Sequence, residues 1–124
     1  MIKLVCFDLD DTLTREIHSV MLLCILHGKL DQLMEIEKLE NNGDLNWIDA
    51  DHQKAALIEG LQMDKLHDGF VKILKPLRNI SQTILHLKER NMQSILITAG
   101  PAQVAGAAQI YGALTLLMAA IMKL

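Results

Sequence analysis

Three carboxylates fall within four positions of the segment VCFDLDDTLT, residues 5 to 14: Asp8, Asp10 and Asp11, directly after a short apolar run. Carboxylates packed this closely repel, so either a shared proton or a hard cation with oxygen ligands must neutralise them, and magnesium is the obvious candidate. Asp8 and Asp10 are two residues apart and can face one pocket, with Asp11 turned elsewhere. A carboxylate beside magnesium can attack a phosphoryl group and form an aspartyl-phosphate while a neighbouring carboxylic acid protonates the leaving alcohol. The bland alternative is an acidic loop that caps the following helix, with Asp11 or Thr12 as the capping residue.

Chemistry of this kind needs elements that bring the carboxylates to a crevice. Ile2 to Phe7 is a six-residue, β-branched-rich run that suits a strand buried on both faces, with Asp8 at its C-terminal end. Open parallel sheets bind ligands outside the carboxyl ends of their strands. From Glu16 to about Leu74 no comparable strand appears; NNGD at 41 to 44 reads as a turn and Gly60 as a helix cap, so this stretch is an all-helical insert. After Pro76 a helix containing Ile84, Leu85 and Leu87 follows Ser81 and ends at Asn91, which tolerates a left-handed cap. QSILIT, residues 93 to 98, is a second strand, and Pro101 suits the first turn of a further helix. Part of 113 to 122 can supply a third strand.

Composition sets the frame. With 124 residues and 51% hydrophobic content, the chain suits one modest domain, or a small domain with an insert. Twelve lysines and arginines against fifteen acids give a net charge of −3, which offers no electrostatic reason to expect nucleic acid. Cys6 and Cys24 form no CxxC pair, and MIKLVCFDLDD leaves no room for a secretory apolar region before its acids, so a reducing cytoplasm is expected. His18, His27, His52, His67 and His86 lack metal-ligand spacing. Met21, Met34 and Met63 fit pliable helix packing, and Trp47 is expected to anchor the core of the insert.

The stretch LVCFDLDDTLT resembles the first motif of the haloacid dehalogenase (HAD) superfamily, DxDxT after an apolar strand, here Asp8, Asp10 and Thr12. SILITAGP supplies Thr98 for the second motif, a Ser or Thr ending another apolar strand. The roughly 85 residues between the motifs resemble a C1 helical cap. NNGDLNWIDADHQKAALIEGL and ITAGPAQVAGAAQIYG are similar to phosphoserine phosphatase-like members, and the resemblance covers about residues 2 to 112. It implies an α/β fold, a HAD-like parallel sheet core formed by 1–14 and 76–124, with a helical cap over 15–75. It also implies a magnesium-dependent phosphomonoester hydrolase acting on a small phosphorylated metabolite. Asp8 would be nucleophile and, with the Asp10 carbonyl, a magnesium ligand; the Asp10 side chain would be general acid and then general base. Thr98, with backbone amides near Ala99 and Gly100, would hold the phosphoryl oxygens.

Two departures from the family pattern are visible. Lys54 occupies the position of a cap arginine that meets the substrate carboxylate, and lysine offers a point charge in place of a bidentate fork. By helical spacing Lys54 shares a stripe with Trp47, Ile58 and Leu61, where a lysine ordinarily lays its stem on apolar surface. The family's third-motif lysine and fourth-motif acidic pair are also missing: beyond Arg90 the chain carries no acid and a single cation, Lys123. The sequence thus reads as a HAD core incomplete at its C-terminus, whose activity by itself is doubtful and whose unpaired sheet edge favours homo-oligomers. A catalytically silent protein acting through its cap is the contrasting reading. Residues 104 to 122 are uncharged over nineteen positions, approaching a membrane span, but Gln109, Tyr111 and Gly112 argue for a buried helix, turn and strand.

Overall fold

A computed structural model describes residues 1–112 and 115–119. Strand β1 (Leu4–Phe7) is followed by helices α1 (Ser19–Leu26), α2 (Leu30–Asn41), α3 (Trp47–Leu57) and α4 (Leu66–Gly69). A wide π turn, Phe70–Leu74, continues α4, and the chain then forms α5 (Ile80–Glu89), β2 (Gln93–Thr98), α6 (Ala102–Gly112) and β3 (Thr115–Ala119). The three strands are parallel in the order β1-β2-β3, with Phe7 opposite Leu96 and Ile95 opposite Thr115. This is an α/β architecture with a helical insert between the first two strands.

Local chemistry explains the punctuation. After α2, Gly43 takes φ +80°, its amide bonds to the Glu40 carbonyl and the next amide, of Asp44, reaches back to Leu39. That pair of bonds is a Schellman closure, which needs a left-handed residue and therefore favours glycine. Asn91 closes α5 in the same way at φ 57°, with Asn91 N on Lys88 O and Met92 N on Leu87 O. Asn46 starts α3 by accepting from the Asp49 amide at 3.0 Å. The Pro101 carbonyl accepts the first bonds of α6 from Val104 and Ala105.

One apolar cluster runs through the molecule, joining Leu22, Leu33 and Phe70 of the insert to Leu13, Leu96 and Val104. Two expectations need correction. β1 is not buried on both faces: Leu4 is 46% exposed, Cys6 is exposed and Ile97 beside them is 40% exposed. Helices α5 and α6 pack on β2 and on each other, as successive right-handed crossovers in one direction require, so the helices cover the face of Phe7, Leu96 and Thr98. Trp47 does not anchor the insert either. It is 66% exposed at the start of α3, and Ala50, three residues later, is the buried residue of that helix. Met21 packs on the core, while Met34 and Met63 are largely exposed.

The uncharged stretch 104 to 122 is divided between α6 and β3, and its positions 113, 114 and 120 to 122 lie outside the described residues. Among the described residues no helix is long and apolar enough to cross a membrane.

Candidate active site

The site begins where β1 ends. Leu9, between the two aspartates, is completely buried. Burying a leucine contributes about 1.5–3 kcal/mol, so this side chain is a firm anchor for the turn that carries the acids. The Leu9 carbonyl accepts from the amides of Thr12, Leu13 and Thr14 at 3.2, 2.9 and 3.3 Å, and Thr14 Oγ1 donates to it at 3.4 Å. Such a tight turn forces one residue into the left-handed region. Asp11 takes that place at φ 62°, a conformation that Asp and Asn adopt more readily than most residues.

Asp8 is exposed, and its Oδ1 accepts from the Leu9 amide at 2.7 Å. In register, Asp8 lies one step beyond the Phe7–Leu96 pair, so it and Thr98 occupy the C-terminal ends of adjacent parallel strands. Asp10 is half-buried and heavily engaged: Oδ1 accepts from the Ser19 amide at 2.8 Å and from Ser19 Oγ at 2.7 Å, and Oδ2 stands 2.9 Å from the same hydroxyl. Thus a carboxylate of the turn does meet the first residue of a helix, but it is Asp10, and the capping residue of α1 is His18, whose Nδ1 accepts from Met21 N at 3.2 Å.

The second strand reaches the same place. A Cβ on Gly100 would stand 3.0 Å from Ser19 Oγ and 3.3 Å from Asp10 Oδ2, so only glycine fits without displacing them. The Gly100 amide donates to Thr98 Oγ1 at 3.0 Å, and Thr98 is buried while Ala99 is exposed. Asp10, Thr98 and Gly100 are therefore brought together, with Asp8 on the neighbouring strand end.

Lys54 is occupied elsewhere. Its Nζ lies 2.5 Å from Glu40 Oε2, joining α3 to α2, and its side chain is only 14% exposed. Ser19 is the site residue that the sequence reading missed; its signal was a serine immediately before the apolar run VMLLCIL, a usual helix-start pattern. An apolar cavity of about 210 Å³ behind the turn touches Thr12, Leu13 and Ile80, and one of about 230 Å³ lies between Ile58–Met63 and Gln103. Neither is lined by Asp8, Asp10 or Thr98, so the carboxylates lie outside both.

As donors, the exposed Asp8 carboxylate and the Asp10 carbonyl suit a hard, oxygen-seeking cation in kind. Among the described residues no group of three acidic, histidine or cysteine side chains could hold a metal ion.

No family model matches the chain. Over 104 residues, 84% of its length, it is 27% identical to a phosphoserine phosphatase of Saccharomyces cerevisiae, and over 100 residues, 81%, it is 27% identical to one of Campylobacter jejuni subsp. doylei. It spans 33% and 47% of these relatives' own lengths. Among solved structures, a substrate-bound phosphoserine phosphatase matches with a TM-score of 0.68 at 21% identity, over 94% of this chain and 54% of the other. A phospho-aspartyl intermediate analogue of phosphoserine phosphatase gives 0.66 at 22% identity, over 93% and 54%. A HAD family hydrolase from Salmonella enterica serovar Typhi gives 0.76 at 15% identity, over 94% and 39%. In sequence the chain is similar to phosphoserine phosphatases, and its fold is that of phosphoserine phosphatases and of a HAD family hydrolase.

Proposed function

We infer that this protein hydrolyses phosphate monoesters of small metabolites through a phosphoryl group carried on Asp8. The observation that carries this reading is the meeting of Asp10 with Gly100 and Thr98 beside Asp8, at the carboxyl ends of two parallel strands. An Asp8 oxygen attacks phosphorus, the ester P–O bond breaks, and Asp10 gives its proton to the departing alcohol. Water then attacks the phosphoryl group, Asp10 takes its proton, and the bond to Asp8 breaks. Thr98 Oγ1 already accepts from Gly100, which leaves its own hydroxyl proton for a phosphoryl oxygen. Backbone at Ala99 and Gly100 lines the same place. Magnesium, held by the Asp8 carboxylate and the Asp10 carbonyl, would offset the charge on the phosphoryl oxygens.

The core comprises 1–14 and 76–124 and the cap 15–75, a division supported by the bond from Leu77 N to Leu13 O at 2.8 Å. Phosphoserine-like esters are the nearest substrates, on the strength of the relatives. We assign Lys54 to holding α2 and α3 together through Glu40, not to the substrate carboxylate. Free Cys6 and Cys24 agree with a reducing, cytoplasmic setting.

A second reading, in which the insert serves as a protein-binding surface without turnover, is favoured by Trp47 and Ile48, neighbouring residues exposed at the start of α3. Phosphate release from 4-nitrophenyl phosphate with magnesium, compared between the protein and its Asp8→Asn variant, separates the two. Turnover that disappears in Asp8→Asn supports the hydrolase; equal turnover in both excludes the mechanism.

A further inference from the structure

We propose that Ser19 is a positioning residue that fixes the Asp10 carboxyl and ties it to the helical insert; this rests on the hydrolase reading above. Ser19 is the first residue of α1 and is completely buried, and both of its donors serve one carboxyl group. The amide and hydroxyl converge on Oδ1, and the hydroxyl is also within reach of Oδ2. A carboxyl gripped from two directions cannot turn about its side-chain bonds without giving up both contacts. Gly100 closes the other side, since even a methyl group there would press on Ser19 Oγ and Asp10 Oδ2.

The consequence is mechanical. The Ser19 amide belongs to the first turn of α1, and α1 packs on α2 and α4 within the insert. A shift of the insert therefore either carries Asp10 with it or strips two hydrogen bonds from it. An acid that must protonate a leaving oxygen at one step and take a proton from water at the next depends on its placement. His18 strengthens the coupling: its Nδ1 caps α1 and its Nε2 lies 3.0 Å from Glu37 on α2, holding the helix start next to Ser19 in place.

The test has two readouts. Three-bond couplings across the Asp10 side chain report its rotamer with or without turnover. A single rotamer is expected in the wild-type chain, and averaged couplings in Ser19→Ala and in Ser19→Cys, which keeps the volume but donates weakly. One unaltered rotamer in both variants overturns the proposal, and the cysteine variant decides if the alanine variant does not fold.

The second readout compares an alkyl phosphate with 4-nitrophenyl phosphate, whose leaving group needs little protonation. Misplacing the acid should lower kcat for the alkyl ester about 10-fold more than for the aryl ester. Equal losses on both substrates, or none, would show that Ser19 does not act through Asp10. Asp8→Asn, run alongside, keeps the two claims apart: its loss of turnover on both substrates leaves the hydrolase reading standing even if Ser19 fails. Retained turnover in Asp8→Asn removes the hydrolase reading, and the rotamer result still decides the contact.

Discussion

The amide of Leu77 donates to the carbonyl of Leu13 at 2.8 Å, pinning the passage of chain that leaves the helical insert to the passage that enters it. Four helices and a π turn are therefore inserted between two adjacent passages of chain, directly behind the turn that carries Asp8 and Asp10, and α4 and the π turn also pack on α6. Leu13 and Thr14 are both buried there, so this junction is part of the core.

Gly43→Ala should destabilise the fold by about 1 kcal/mol, because the added Cβ meets nothing within 4 Å and the cost is that of holding φ +80° with an L side chain. Thermal unfolding checks this. A variant as stable as the parent would show that α2 does not need its left-handed closure.

Lys54→Met should also destabilise, by about 1–2 kcal/mol, less than for a fully buried pair because both side chains keep some solvent access. The loss arises from leaving Glu40 unpaired, so Glu40→Gln added to Lys54→Met should recover part of it. A double-mutant cycle in denaturant measures the coupling, and additive losses would mean that the pair does not act as a unit.

Much of this arrangement was legible in the chain. Apolar runs ending at Asp8 and Thr98 gave parallel strands whose ends meet, and Gly43, Asn91 and Pro101 fall where their backbone preferences place them. These signals are local, each contained in a few consecutive residues. The contacts of Ser19 with Asp10 and of Lys54 with Glu40 were not legible, because the partners lie nine and fourteen residues away and meet only through folding. Trp47 was misjudged because its size suggested burial, whereas its place in the first turn of α3 leaves it at the rim. The open face of β1 was unreadable from β1 itself. Which side of a strand is covered depends on where its crossovers run.

Cys24 is buried, and desolvation, assisted by the charge of Glu37, raises its thiol above its ordinary value of 9.0. The unfolded chain therefore ionises Cys24 first, so the contribution of the neutral thiol to stability is fully present below about pH 9 and is lost as pH rises from there through the raised pKa of the folded thiol. Cys24→Ser should flatten the alkaline side of the stability profile. In native protein at pH 8 a thiol reagent should modify exposed Cys6 and spare Cys24; modification of both at equal rates would contradict the burial.

Magnesium should bind residues 1–124 weakly, because Asp8 and the Asp10 carbonyl supply two oxygens to an ion that prefers six. Water and a substrate phosphate can fill only part of the sphere. Isothermal titration with magnesium alone should give no saturation under conditions where sites with several protein carboxylates fill. Tight binding that is lost in Asp8→Asn would mean that further ligands act in the site, and tight binding kept in Asp8→Asn would place the ion elsewhere.

The central claim is that Asp8 carries the phosphoryl group. Its most direct test is acid quenching of the protein during reaction with an aryl phosphate and magnesium, followed by peptide mass mapping. The peptide containing residues 5 to 14 should gain one phosphoryl group, on Asp8, and the same peptide of Asp8→Asn should not. Phosphate release with no phosphoryl group trapped on Asp8, or trapping on a different residue, would contradict the account.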